Sequence, residues 1–152
     1  MSTVIEHLAV LYNNPFNFAP ALAGFYNEYG NANRSMLLAY LILPLILPKE
    51  SKKYLRAVRT NSSLRVLVSE RDRIYGLAAR VQQYRHITDK TLQYLVDANV
   101  IEIGHDLNIV VRGQVSTGVV PEGTIDAARG LAKICRPYDV QTVYRMLGVK
   151  SL

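Results

Sequence analysis

The sequence predicts a mainly α-helical fold with one small β-hairpin, arranged as a helical bundle around a winged-helix-like unit. Apolar residues recur at helical spacing through most of the chain, as Ile74, Leu77 and Val81 do, and this pattern favours amphipathic helices. The period changes to two at 100–103 and 107–111, where β-branched residues alternate with polar ones around a short turn. Helix, turn, helix and hairpin in this order are typical of a winged helix.

The 152 residues fit a single domain with three parts. A helical part at 1–72 is expected to surround a buried helix at 35–47. The winged-helix-like unit spans 73–112, and a C-terminal helical pair spans 123–149. The apolar run in the buried helix has twelve residues, whereas a membrane span needs about twenty. We therefore expect a core helix, which Pro44 should break, and no membrane span.

The helical part is predicted to contain several elements in order. A short amphipathic helix at 3–12 should end at 13–15, because the residue before a proline is pushed out of the helical conformation. A second helix follows at 21–29. A basic helix is expected at 49–59, and a serine-rich loop then supplies a hydroxyl cap for a helix at 64–68.

The remaining elements are predicted from their end signals. Thr88 should cap the second helix of the winged-helix-like unit, and Asn99 should end it because asparagine tolerates the left-handed conformation. The Gly/Pro/Ser/Thr-rich stretch at 115–123 predicts an exposed linker. Thr124 is expected to cap the next helix, and Asp139 to start the last one.

The net charge of +6 is concentrated in one part of the chain. Residues 49–90 carry eleven cations against four acids, whereas 91–152 is neutral. A localised basic surface favours acidic partners, either a nucleic-acid backbone or an acidic protein face. The candidate residues for such a contact are the five cations of the basic helix: Lys49, Lys52, Lys53, Arg56 and Arg59.

The aromatic composition is unusual, with ten tyrosines, three phenylalanines and no tryptophan. Tyrosine is enriched at protein interfaces because its ring gives rigid, amphipathic contact. The alternative is that each ring lies at the edge of the core with its hydroxyl in water. The candidate residues for a protein interface are Phe16, Phe18, Tyr26, Tyr29 and Tyr94.

No pattern of catalytic or ligand-binding residues stands out. The lone Cys135 lies among apolar helical positions, so a buried, inert thiol is expected and an internal disulfide is excluded. The three histidines are far apart, and no glycine-rich phosphate loop follows a strand. We therefore expect no catalytic residue, cofactor, metal site or small-molecule substrate, and hence no enzyme. The N-terminus lacks an export signal, which favours the cytoplasm.

The order of several motifs resembles a known protein family. These motifs are Asn14-Pro15, Leu43-Pro44 through Leu47-Pro48, Thr60 to Leu64, Thr88 to Ile103, and two C-terminal segments at 128–133 and 142–149. They are similar to those of the middle component of bacterial three-component ABC-ATPase systems, the SMC-like, Lamassu-like conflict and defence systems. The resemblance implies a non-catalytic adaptor that links an SMC-like ABC ATPase to an effector protein in an anti-phage or anti-plasmid complex.

A winged-helix transcriptional regulator is the alternative. A base-reading helix needs cations and amides directed at base edges. The exposed face of the second helix instead carries Asp89, Lys90, Gln93, Tyr94 and Asp97, which are close to neutral in sum. This favours the adaptor. Because SMC-like ATPases act on DNA, the resemblance also implies a contact between the basic helix and duplex DNA, without sequence preference, inside the complex.

Overall fold

The computed structural model describes residues 14–115 and 120–150 and is mainly helical, with a two-stranded antiparallel hairpin. This confirms the predicted fold class, while the winged-helix-like character stays a prediction. The predicted helix at 3–12 lies outside the described residues. The elements are α1 (Pro15–Tyr29), a 3₁₀ helix (Ser35–Leu38), α2 (Ala39–Ile46), α3 (Lys49–Arg56), α4 (Leu64–Ser69), α5 (Arg71–Ile74), α6 (Leu77–Gln83), α7 (Arg85–Asp97), β1 (Ile101–Ile103), β2 (Ile109–Val111), α8 (Thr124–Cys135) and α9 (Val140–Leu147).

Helix α1 packs against both α8 and α7 and is buried along most of its length. It begins earlier than predicted, because Asn14 and Pro15 start a helix. The Asn14 side chain accepts a hydrogen bond from the Phe16 N–H at 3.0 Å, and a proline in the first helical turn loses no intrahelical hydrogen bond. The helix stops before Gly30, which has a φ of 99°.

Pro44 does not break the apolar helix, contrary to the prediction, since α2 runs through it. Pro48 has no N–H to donate to the Pro44 carbonyl four residues earlier. Arg80 supplies the missing donor, with its Nε 3.1 Å from the Pro44 oxygen. The Ser51 hydroxyl similarly donates to the Leu45 carbonyl near the end of the helix. Side chains from other elements therefore supply donors to two carbonyls near the end of this buried helix.

Helices α3 and α8 cross at very close range. A β-carbon at Gly130 would lie 2.0 Å from the Leu55 carbonyl oxygen, so glycine is required there. Gly123, with a φ of 80°, occupies the position before α8, and the Arg56 side chain lies against it. The prediction that Thr124 caps α8 is wrong, because Thr124 is already the first helical residue.

Helix α7 begins at Arg85, so the prediction that Thr88 caps it is also wrong. The Thr88 N–H donates to the Tyr84 carbonyl at 3.0 Å, which places Thr88 inside the helix. Its buried hydroxyl has no hydrogen-bond partner within the described ranges. The end of α7 is as predicted, with Asn99 in the left-handed conformation at a φ of 58°.

The hairpin pairs Ile101 with Val111 and is held against the rest of the fold at its tip. The Arg34 N–H donates to the Asp106 carbonyl at 2.8 Å, and the Met36 N–H donates to the Leu107 carbonyl at 2.9 Å. These bonds fix the hairpin to the segment that leads into the 3₁₀ helix.

The C-terminal helices α8 and α9 lie where the sequence predicts them. The Asp139 carboxylate accepts a hydrogen bond from the Thr142 N–H at 2.7 Å and so caps α9 as predicted. Hydrogen bonding to Thr142, from its side chain first and then from its N–H, lowers the pKa of Asp139. Gly148, with a φ of 73°, ends the helix. Residues 116–119 of the predicted linker lie outside the described part of the chain.

Candidate functional site

The predicted cations at 49–59 form a basic surface, defined as Lys49, Lys52, Lys53, Arg56 and Arg59. Helix α3 turns Ser51 and Leu55 inward, which leaves most of the cations exposed. The helix ends at Arg56, so Arg59 lies in the following turn, where its N–H donates to the Ser62 hydroxyl at 2.9 Å.

Two members of the basic surface lie against the start of α8. The Lys52 ammonium donates to the Thr124 hydroxyl at 3.1 Å. Burial lowers the pKa of Lys52, and nearby Arg56 lowers it further while Glu122 opposes the shift. Arg56 lies over Gly123. Both cations therefore lie at the N-terminus of α8, the positive end of its dipole.

The other three members are available to a partner. Lys49, Lys53 and Arg59 are exposed, and no carboxylate within the described residues lies within 4 Å of their charged groups. The basic surface continues onto α5, which packs on α3: the Arg73 guanidinium lies 4.4 Å from the centre of the Tyr54 ring. Arg73 is a neighbour that the local charge pattern around α3 did not indicate.

Three of the predicted interface aromatics are core residues, which corrects the prediction for them. Phe18 and Tyr26 are 1% and 2% exposed, and Tyr29 is buried as well. The physical reason is the position of α1 between packed helices, where its large side chains fill the core. The Tyr26 hydroxyl donates to the Ser35 carbonyl at 2.6 Å, and burial raises the pKa of Tyr26.

Phe16 and Tyr94 lie together at the surface. Phe16 is 57% exposed, and its ring meets the half-buried Tyr94 ring edge to face with centroids 4.6 Å apart. This aromatic pair joins the start of α1 to α7. It is the part of the predicted protein interface that the fold leaves accessible, and its role as an interface stays a prediction.

Three more tyrosine hydroxyls donate hydrogen bonds to other groups of the chain. Tyr40 donates to the Asp89 carboxylate, Tyr54 to the Ser63 carbonyl and Tyr144 to the Leu37 carbonyl. Burial and the bond to Asp89 raise the pKa of Tyr40 to about 12. Tyr75, at 77% exposure, is by contrast largely in solvent. The tyrosine surplus is therefore explained in part by internal hydrogen bonding.

The exposed face of α7 has few groups free to read bases. Asp89 accepts the Tyr40 hydroxyl, and the Gln93 amide donates to Asp97 at 2.9 Å. Lys90 is exposed. The hairpin tip adds an exposed, apolar Leu107.

Within 14–115 and 120–150, no helix is long and apolar enough to cross a membrane. The same residues contain no group of histidine, cysteine, aspartate and glutamate side chains that could hold a metal ion. Cys135 is buried, and burial raises the pKa of its thiol to about 12, so the thiol is protonated at neutral pH.

Comparison with protein families gives a match over nearly the whole chain. The model of the MC3 family, described as ABC-three component (ABC-3C) system Middle Component 3, matches residues 2–151. The chain belongs to this family. The predicted resemblance to middle components is thereby confirmed. No curated protein and no solved structure matches the MC3 chain.

Membership in MC3 makes the chain a middle component of a multi-component ABC system and implies protein partners. The exposed cations Lys49, Lys53 and Arg59 and the aromatic pair of Phe16 and Tyr94 are its candidate contact surfaces.

Proposed function

We propose that this MC3 protein is a non-catalytic cytoplasmic adaptor that links an SMC-like ABC ATPase to an effector protein in an anti-phage or anti-plasmid defence complex. The observation that carries the proposal is the family match over residues 2–151, since a middle component acts together with the other components of its system.

The surfaces support contact with more than one partner because they differ in chemistry. The basic surface is carried by α3, which packs on α8. The aromatic pair is carried by α1 and α7. Exposed cations suit an acidic face or a phosphate backbone. Exposed aromatic rings suit the buried centre of a protein interface, where such rings are enriched.

The exposed cations of the basic surface also support contact with DNA inside the complex. Lys49, Lys53 and Arg59 are exposed, and none of them is ion-paired with a carboxylate in the described residues. Cations that meet phosphates position a protein on DNA without reading its sequence. We therefore expect any DNA contact through this surface to lack strong sequence preference.

Co-expression with the products of the two neighbouring genes, the ATPase and the effector, tests the adaptor. We expect a tagged MC3 chain to co-purify with both proteins and to elute with them as one complex in size-exclusion chromatography. Elution of the chain as a monomer beside an intact ATPase–effector complex would contradict the proposal.

DNA binding by the isolated chain separates the adaptor from a transcriptional regulator. A regulator requires the isolated chain to bind a specific duplex, and changes at Lys90, Gln93 and Tyr94 should abolish that binding. Removal of each side chain that reads a base should weaken the binding free energy by about 1–3 kcal/mol. Sequence-specific binding with this dependence would replace the adaptor with the regulator.

A further inference from the structure

A cleft of about 570 Å³ opens between the 3₁₀ helix and α9. Its apolar lining comes from Leu37, Val140, Tyr144 and Val149. The Tyr144 hydroxyl already donates to the Leu37 carbonyl, so the phenol needs no further partner. The lining therefore offers carbon surface that another molecule could cover.

Every charged side chain among the described residues that line the cleft is positive. Arg34, Arg145 and Lys150 are exposed and line it, and none of them pairs with a described carboxylate within 4 Å. The nearby acid is Asp139, whose pKa Arg145 helps to lower, but the Asp139 carboxylate is occupied in capping α9. Three cations that repel one another around an apolar lining are complementary to a segment that is both acidic and apolar.

Arg34 occupies the rim in a backbone conformation that disfavours arginine. Its φ is 63°, in the left-handed region that glycine adopts without steric cost. The backbone is held there by the bond from the Arg34 N–H to the Asp106 carbonyl. The Arg34 guanidinium makes no hydrogen bond or ion pair to any described residue. Folding therefore explains the backbone at this position but not the choice of an arginine side chain.

We propose that this cleft binds an acidic, apolar segment of a partner protein in the ABC system, with its apolar side chains on Leu37 and Tyr144 and its carboxylates paired with Arg34, Arg145 and Lys150. The proposal rests on the proposed function, because the partner is the ATPase or the effector of the adaptor complex. A protein segment fits better than a nucleic acid, since a phosphate backbone would leave the apolar lining uncovered.

Photo-cross-linking in the assembled complex identifies the occupant. A cross-linking amino acid replaces Gln141, an exposed residue of the cleft, in the chain co-expressed with the ATPase and the effector. A second preparation carries it at Gln83, an exposed glutamine at the end of α6. We expect the probe at Gln141 to attach to one segment rich in acidic and apolar residues, and the probe at Gln83 not to attach to that segment.

Other cross-linking results overturn the proposal. Attachment of the Gln141 probe to DNA, to a second copy of the chain or to a segment without carboxylates would each do so, as would no attachment in an intact complex. Failure of any complex to form would instead contradict the proposed function.

Arg34→Gly separates binding from folding, because it relieves the left-handed strain while removing one rim cation. Asn99→Gly is the matched control, since Asn99 has a φ of 58° and does not line the cleft. We expect neither variant to lower the thermal midpoint of the parent. Only Arg34→Gly should weaken the affinity for the partner that the Gln141 probe identifies, by about threefold.

The double variant Arg145→Gln, Lys150→Gln should weaken the same binding by about tenfold. The charge-matched control is Lys90→Gln, Arg129→Gln, since both residues are exposed and lie outside the cleft. Equal affinities for the two double variants, with unchanged thermal midpoints, would overturn the proposal and leave the adaptor function intact.

Discussion

At the scale of residues, tyrosine hydroxyls bond carbonyl groups where the chain departs from α-helix. Tyr26 bonds Ser35 in the 3₁₀ helix, and Tyr144 bonds Leu37 in the same helix. Each hydroxyl gives one of these carbonyls a side-chain donor, and a hydrogen bond of this kind stabilises a fold by about 1 kcal/mol. These hydroxyls therefore contribute to the stability of the fold itself.

Tyr26→Phe tests this role because it keeps the buried ring and removes the hydroxyl. We expect the free energy of unfolding, measured in urea, to fall by about 1 kcal/mol. Tyr75→Phe is the control, since Tyr75 is 77% exposed, and it should change stability by less than about 0.5 kcal/mol. Equal stability of the two variants would show that the Tyr26 bond contributes nothing.

The surplus of tyrosine is visible in the sequence, but which aromatic rings are buried could not be predicted from it. Phe16 and Phe18 are neighbours in one segment, yet the first is 57% exposed and the second 1%. Their difference depends on which helices pack against α1, and no local pattern records that. Asn14-Pro15 was equally ambiguous, because a proline can follow the end of one helix or stand in the first turn of another.

At the scale of elements, the cations of α3 and of the turn after it fall into two groups, which differ in whether they contact α8. Lys52 bonds the Thr124 hydroxyl at the start of α8, and Arg56 lies over Gly123 beside it. Lys49, Lys53 and Arg59 remain exposed. The sequence predicted the basic face, since charge is visible in the residues themselves. It could not predict which cations contact α8, because that depends on where the packing of α8 places Gly123 and Thr124.

The triple change Lys49→Glu, Lys53→Glu, Arg59→Glu tests the DNA contact without disturbing the junction with α8. We expect the assembled complex to bind duplex DNA more weakly at low salt while the subunits stay associated. Removal of each phosphate contact should reduce the slope of log affinity against log salt concentration by about 0.9. A titration of labelled duplex at several salt concentrations measures both quantities.

The control for this experiment is Lys52→Gln, Arg56→Gln, which should lower thermal stability because it removes the Lys52 ammonium that bonds Thr124 at the start of α8. If the triple change releases a partner subunit while the ATPase alone keeps its DNA affinity, the surface docks an acidic protein face.

At the scale of the whole molecule, three features with local signals were predicted correctly, whereas the threonine caps of α7 and α8 were not. The left-handed Asn99 after α7, the hairpin and the Asp139 cap of α9 each depend on a few adjacent residues. The continuous helix through Pro44 was not predicted, and neither was the bond that its carbonyl accepts from Arg80, far along the chain.

The cleft was missed for the same reason. It combines Arg34 with cations near the C-terminus, such as Arg145. The residues at 91–152 are neutral in sum, so charge patterning along the sequence gave no sign that three cations converge there.

The central claim is that this MC3 chain bridges the ATPase and the effector, and the affinity of one for the other tests it most directly. The effector is immobilised, and the ATPase is titrated over it by biolayer interferometry with and without a saturating concentration of the chain. A bridge adds a binding surface for each partner, so we expect the ATPase to bind the effector at least about tenfold more tightly when the chain is present. Equal affinity in the presence and absence of the chain would contradict the account.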